Sequence, residues 1–226
     1  MEDGCLSIRD IDRKIIDIDC EIASIKAKAR MKLAARSLKN AVQREDLSDA
    51  RRLLEGGTDA NCFDGFSRPL NVAGSKDAIR LLLEYGADPK QCKESPLRTV
   101  FLHYGSLQAH YKPQDMSEQD WLQEASEALG LLFKAGADAN ALSDCGNNLL
   151  YDIATCTLSS DASKEFFLTK LMQNGADPNE LYVKYRFCKE SVLGYLDSEI
   201  YPLKRERKNK EIYAKWVALM KEHAQG

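Results

Sequence analysis

Four stretches of the chain place two large apolar residues side by side, three to four residues before a glycine. Such pairs lie at the core positions of a short amphipathic helix. A glycine after them is typical of a helix C-terminus, where the backbone needs a positive φ. An aspartate follows each glycine by two residues, where its carboxylate can bond nearby backbone N–H groups. The pattern predicts four helix ends, each leading into a turn. The pairs, glycines and aspartates are Leu53/Leu54, Gly57 and Asp59; Leu82/Leu83, Gly86 and Asp88; Leu132/Phe133, Gly136 and Asp138; Leu171/Met172, Gly175 and Asp177.

A second, shorter helical pattern follows each of these turns. It reads RPLNVA at 68–73, SPLRTVF at 95–101, NLLYDIA at 148–154 and SVLGYL at 191–196. The four aspartates are 29, 50 and 39 residues apart, and two insertions account for the uneven spacing. We place these at 106–123 and 155–166, and expect both to emerge from the same edge of the molecule.

The N-terminal region carries a stripe of isoleucines spaced 3, 4, 3, 4 and 3 residues apart. This spacing is that of the a and d positions of a heptad and predicts a helix over 1–33. No glycine or proline occurs between Gly4 and Gly56, so the helix can run into the next segment. Two interpretations stand: the stripe caps the end of the remaining helices, or it binds a helix of a partner or of a second copy. The six residues are Ile8, Ile11, Ile15, Ile18, Ile22 and Ile25.

The order of turn, short helix, second helix and Gly-Ala-Asp resembles the ankyrin repeat, whose period is near 33 residues. The resemblance implies an all-α solenoid of stacked helix-turn-helix units over 34–226, with the 1–33 helix as an addition. About five units, caps included, lie at 34–61, 62–91, 92–141, 142–180 and 181–226. The chain departs from the family in that no short helix begins with a complete Thr-Pro-Leu-His, so the repeats are divergent.

Composition indicates an ordinary folded protein. Of the 226 residues, 44% are hydrophobic and 30% charged, and the net charge of −3 gives no reason to expect a polyanionic partner. Seven cysteines without a CxxC pair fit a reducing compartment. The N-terminus lacks the pattern of a signal peptide, and no apolar run is long enough to cross a bilayer. We expect a cytoplasmic protein, or one delivered into a host cytosol.

Catalytic and metal-binding patterns are missing from the sequence. His103, His110 and His223 lie in no known catalytic or metal motif, and no phosphate-binding glycine loop occurs. Cys62, Cys92 and Cys145 recur in successive turns, but stacked turns lie too far apart to share one zinc ion, so plain thiols are expected. The basic run at 204–210 has no nucleic-acid motif beside it and is interpreted as a solvated linker. We expect no enzyme activity, cofactor, metal, nucleic acid or membrane partner.

The ankyrin resemblance implies binding of another protein through the concave face, the turns and the inserted loops. One version is an inhibitor or immunity-type protein. The alternatives are an adaptor or secreted effector that recruits a host protein, and a structural protein that self-assembles through its N-terminal helix.

Candidate binding residues are large polar or aromatic side chains in the turns, short helices and insertions, because Tyr, Trp and Arg dominate binding hot spots. Each can instead pack between neighbouring units, and burial is a specific alternative for Phe66 and Trp121. The candidates are Phe63, Phe66, Arg68, Asn71, Arg98, His110, Tyr111, Met116, Trp121, Tyr151, Tyr182, Tyr185, Arg186 and Phe187.

Overall fold

The computed structural model describes residues 8–105, 112–143, 146–156, 158–179, 181–184, 188–191 and 210–224. In these residues the chain forms eight α-helices, two single turns of 3-10 helix and one β-hairpin. The α-helices are α1 Ile8–Gln43, α2 Leu47–Glu55, α3 Lys76–Glu84, α4 Pro96–Tyr104, α5 Glu118–Lys134, α6 Leu149–Thr155, α7 Asp161–Gln173 and α8 Lys210–Ala224. The 3-10 turns are Pro69–Asn71 and Pro89–Gln91, and the strands are β1 Leu181–Lys184 and β2 Cys188–Ser191. None of these helices is both long and apolar enough to span a membrane.

The longest helix, α1, projects from the rest of the molecule. Its residues 13–33 are all exposed, and contact with the other helices begins only at Ala34 and Ala35. The interpretation of the isoleucine stripe as an end cap is therefore wrong for the four isoleucines whose side chains are described: Ile15, Ile18, Ile22 and Ile25. Ile8 and Ile11 lie within the helix, but their side chains are outside the described part of the chain. The predicted continuity of the helix past residue 33 is confirmed.

The remaining helices share one apolar core. Helices α2, α3, α5, α7 and α8 pack against one another in chain order, while α4 packs on α5, α6 on α7, and the C-terminal part of α1 on α2. The predicted leucines supply much of this core, since Leu54, Leu82, Leu132 and Leu171 are all buried. In the last helix Trp216 and Met220 are buried and Leu219 is half-buried, as its apolar face predicts.

The four predicted helix ends form in the same way. Their glycines have φ between 82° and 91°, a conformation that only glycine adopts without strain. At each end two backbone bonds of 2.9–3.1 Å close the helix, one of them from the residue after the glycine to a carbonyl five positions earlier. This is the Schellman arrangement, and it satisfies carbonyls that the helix itself leaves unpaired. The prediction of four glycine-terminated helices is confirmed.

The aspartates after these glycines also act as predicted. Each carboxylate accepts a hydrogen bond of 2.8–2.9 Å from the backbone N–H two residues further on. Two asparagines then join neighbouring turns. The Asn61 side chain bonds the Gly86 carbonyl and the Asp88 N–H, both at 2.8 Å. Asn140 makes the equivalent bonds to Gly175 and Asp177, also at 2.8 Å. Neighbouring turns are thereby held in fixed relative positions.

Several predicted boundaries are wrong. The pattern at 68–73 makes only one 3-10 turn, and Ser191, the predicted start of a helix, ends strand β2. Strands β1 and β2 pair antiparallel, and aromatic and β-branched residues such as Val183 favour the extended backbone of β1. Residues 118–123 and 161–166, predicted as insertions, are the first turns of α5 and α7. The Ser159 hydroxyl donates to the carbonyl of Gly105, so the described ends of the two connections are in contact. Residues 106–111 and 157 lie outside the described residues, and the prediction that both insertions share one edge stays a prediction.

Candidate protein-binding surface

The first turn segment, residues 62–68, is held to α1 by a buried carboxylate. Asp64 is ion-paired with Lys39 of α1, and its other oxygen accepts from the N–H groups of Phe66 and Ser67 at 2.9 and 3.0 Å. Burial acts to raise the pKa of Asp64. The hydrogen bonds from Lys39, Ser67 and Phe66 outweigh it and hold that pKa at about 2. Asp64 is therefore ionised at neutral pH and ties the two residues Phe66 and Ser67 to α1.

Two phenylalanines on this segment face solvent. The side chain of Phe63 is 51% exposed and that of Phe66 is 81% exposed. The alternative that Phe66 belongs to the core is therefore wrong. Both large apolar side chains are thus exposed on one anchored segment.

Arg68 closes the other end of the segment. Its guanidinium lies 5.8 Å from the centre of the Phe63 ring, within the range of a cation–π contact. The same side chain donates to the carbonyls of Asn61 and, at 2.8 Å, Gln91. Arg68 thus fixes the Phe63 ring while bridging the first two turns.

A cavity of about 590 Å³ opens between α1 and residues 56–63, which run from the end of α2 into this segment. Phe63 and Cys62 line one side, and Arg30, Met31 and Ala34 of α1 line the other. Met31 and Arg30 were missed by the sequence analysis because they lie outside the isoleucine heptad. The available signal was that Met31 precedes Ala34, Ala35 and Leu38 by three, four and seven residues, the spacing of one helix face. We call Met31, Phe63, Phe66 and Arg68, together with this cavity, the turn surface.

A second groove, of about 340 Å³, lies between the end of α1, the first 3-10 turn and α4. Gly74 and His103 meet at its floor, where a Cβ on Gly74 would lie 2.7 Å from the imidazole. Leu102 is exposed at its edge. Burial lowers the pKa of His103 to about 4, so the imidazole is neutral at pH 7. The ring packs closely against Gly74.

Asn71 and Arg98 line this groove but are engaged within the chain. The Asn71 amide accepts from the Arg68 N–H at 3.2 Å and donates to the Glu94 carbonyl at 2.7 Å. Arg98 is ion-paired with Asp152 of α6. Both side chains therefore pack within the chain, which is the alternative to partner binding. Part of each still lines the groove.

Three further candidates pack against the core. Trp121 is only 7% exposed and donates from Nε1 to the Tyr104 carbonyl at 3.0 Å. The prediction of Trp121 as a binding residue is therefore wrong, and the alternative of burial is confirmed. Met116 is half-buried against the core, so it is not the free loop residue that the sequence suggested. Tyr151 is half-buried in the same way.

No described contact places the remaining candidates near the turn surface. Tyr182 lies in strand β1, and its side chain is outside the described part of the chain. His110, Tyr111, Tyr185, Arg186 and Phe187 lie outside the described residues altogether. Of the fourteen predicted residues, the structure brings together Phe63, Phe66 and Arg68 at the turn surface, with Asn71 and Arg98 at the adjoining groove.

The two described cysteines of the first two turns are not activated thiols. Burial raises the pKa of the Cys62 and Cys92 thiols to about 11, so both stay protonated and poorly nucleophilic at neutral pH. Within the described ranges no three His, Cys, Asp or Glu side chains lie close enough to hold a metal ion.

No protein-family model matches this chain, and no curated protein matches it in sequence.

Proposed function

We propose that the chain is a divergent ankyrin-repeat protein that binds another protein through the turn surface and the groove beside it. Support for the repeat assignment comes from the four helix ends, which share their glycine conformation, their backbone bonds and their aspartate turns. The Asn61 and Asn140 bridges add a regular link between neighbouring turns. Solenoids of this kind use such a rigid row of turns as a binding surface.

The exposed pair Phe63 and Phe66 is the observation that carries the binding proposal. Fully burying one phenylalanine contributes about 1.5–3 kcal/mol, so the pair can supply the centre of a specific interface. The segment bearing them is anchored by Asp64 and Arg68, which means that little ordering entropy is lost on association. An apolar cleft on the partner, with acidic groups facing Arg30, is the surface that fits best.

The same surface serves an inhibitor that covers a toxin or enzyme, and equally an adaptor or effector that recruits a protein. Both act in the cytoplasm or in a host cytosol under this proposal. Neither role requires this chain to catalyse a reaction. The protonated Cys62 thiol and the neutral His103 imidazole are consistent with such a role.

A photo-crosslinking amino acid at position 66 tests the contact in cells of the native organism. We expect a benzophenone side chain at Phe66 to give one discrete crosslinked product, because an 81% exposed residue in a binding surface lies against the partner. The same substitution at Leu158, an exposed apolar residue outside the turn surface, is the matched control and should give none. Crosslinking at neither position, or equally at both, would contradict the proposal.

A further inference from the structure

We propose that the projecting half of α1 assembles with the same helix of two further copies of this chain, as a parallel, in-register three-stranded bundle. The inference does not rest on the proposed function, since its residues lie outside the turn surface. Its starting point is that Ile15, Ile18, Ile22 and Ile25 form one stripe and are 43–65% exposed. The heptad assigns Ile15 and Ile22 to a positions and Ile18 and Ile25 to d positions, and extends the same assignment back to Ile8 and Ile11.

The stripe is free to pair because the rest of the molecule lies on the other side of the helix. Contact with the other helices runs through the buried Ala35, Leu38, Ala41 and Val42. At 3.6 residues per turn, the centre of that buried face and the centre of the isoleucine stripe point roughly 170° apart. In a bundle joined along the stripe, the remaining helices of each copy would therefore lie on the outside of the bundle.

The charges that flank the stripe favour another copy of α1 as the partner, in parallel orientation. The flanking g positions are Lys14 and Glu21, and the e positions are Asp19 and Lys26. In a parallel, in-register bundle each g residue faces the e residue five positions on in its neighbour. Lys14 then meets Asp19 of the next copy, and Glu21 meets Lys26, so every described flanking contact is attractive. All four side chains are exposed and available.

An antiparallel pairing is only partly complementary, although it sets Lys14 against Glu21 of the other copy. The arrangement that stacks all six isoleucines antiparallel would set Asp12 against Asp19 of the other copy, a like-charge contact. Isoleucine at both a and d positions favours three or four strands over two, and the proposal commits to the smaller of these assemblies. The short stripe suffices because α1 is already helical over the stripe and is continuous with the folded body, so assembly does not have to nucleate a helix.

Sedimentation equilibrium of the full chain over a micromolar concentration series tests the proposal. The wild type should reach three times the 25.4 kDa mass of one chain. Ile18→Lys puts a charge into the seam and should give a monomer. Ile16→Lys is the matched control, since Ile16 is equally exposed but lies off the stripe, and it should remain trimeric. Circular dichroism shows whether each variant is still helical.

Charge exchange then tests the direction. Lys14→Glu should weaken assembly at least tenfold, and adding Asp19→Lys to the same chain should restore it. In the antiparallel arrangement Glu21→Lys, not Asp19→Lys, would be the rescuing change. A monomeric wild type, equal behaviour of the position 16 and 18 variants, or rescue by Glu21→Lys would overturn the proposal.

Discussion

Replacing Trp121 by alanine should lower the free energy of unfolding by about 4 kcal/mol, the largest effect we expect from any single substitution. The indole is buried between α4 and α5, with ring centres 4.5 Å from Tyr104 and 5.5 Å from His103. Its Nε1 also satisfies the carbonyl of Tyr104, the last residue of α4. Alanine would leave a cavity at this junction and an unpaired buried carbonyl.

Urea unfolding followed by circular dichroism measures this loss. Trp121→Phe is the informative control, because it keeps an aromatic ring but removes the N–H donor, and should cost about 1–2 kcal/mol. An alanine variant as stable as the wild type would show that Trp121 is not part of the core and would return it to the candidate binding residues.

Asp64→Asn should lower the free energy of unfolding by about 3 kcal/mol, because it leaves the largely buried Lys39 ammonium without its counter-charge. The same change should loosen the turn surface, since the carboxylate also holds the N–H groups of Phe66 and Ser67. Thermal unfolding at neutral pH gives the comparison. The exposed Asp115→Asn is the control and should change stability by no more than about 0.5 kcal/mol.

The pH dependence of stability identifies the same carboxylate. The folded-state pKa of Asp64 is about 2, below the value of about 4 in an unfolded chain. Its contribution is therefore complete above about pH 4 and is lost as the pH falls towards 2. The difference between wild type and Asp64→Asn should shrink through this range. A difference that stayed constant from pH 7 to pH 2 would show that Asp64 acts through its shape and not its charge.

The sequence predicted what depends on local interactions. The four glycine-terminated helix ends follow from a backbone requirement that only glycine meets easily, and the aspartate turns from a bond spanning two residues. The Asn61 and Asn140 bridges depend on which turns become neighbours, and no spacing within one turn predicts them.

The candidate site was only partly predictable, because exposure depends on distant parts of the chain. Phe63 and Phe66 were identified as aromatic residues in a turn, but α1 and Asp64 decide that they face solvent. Trp121 has the same hot-spot chemistry, yet α4 and α5 close over it. Met31 lies outside the isoleucine heptad, and its partners across the cavity, residues 56–63, are distant in the sequence.

The affinity of the protein captured at position 66 for a Phe63→Ala, Phe66→Ala double variant tests the central claim most directly. Calorimetric titration with the wild type, the double variant and Leu158→Ala would compare the three surfaces. We expect the double variant to bind at least a hundredfold more weakly, about 2.7 kcal/mol, with an unchanged melting temperature, because both rings are exposed in the free chain. Leu158→Ala should bind like the wild type. Equal affinity for all three proteins would contradict the assignment of the turn surface as the binding site.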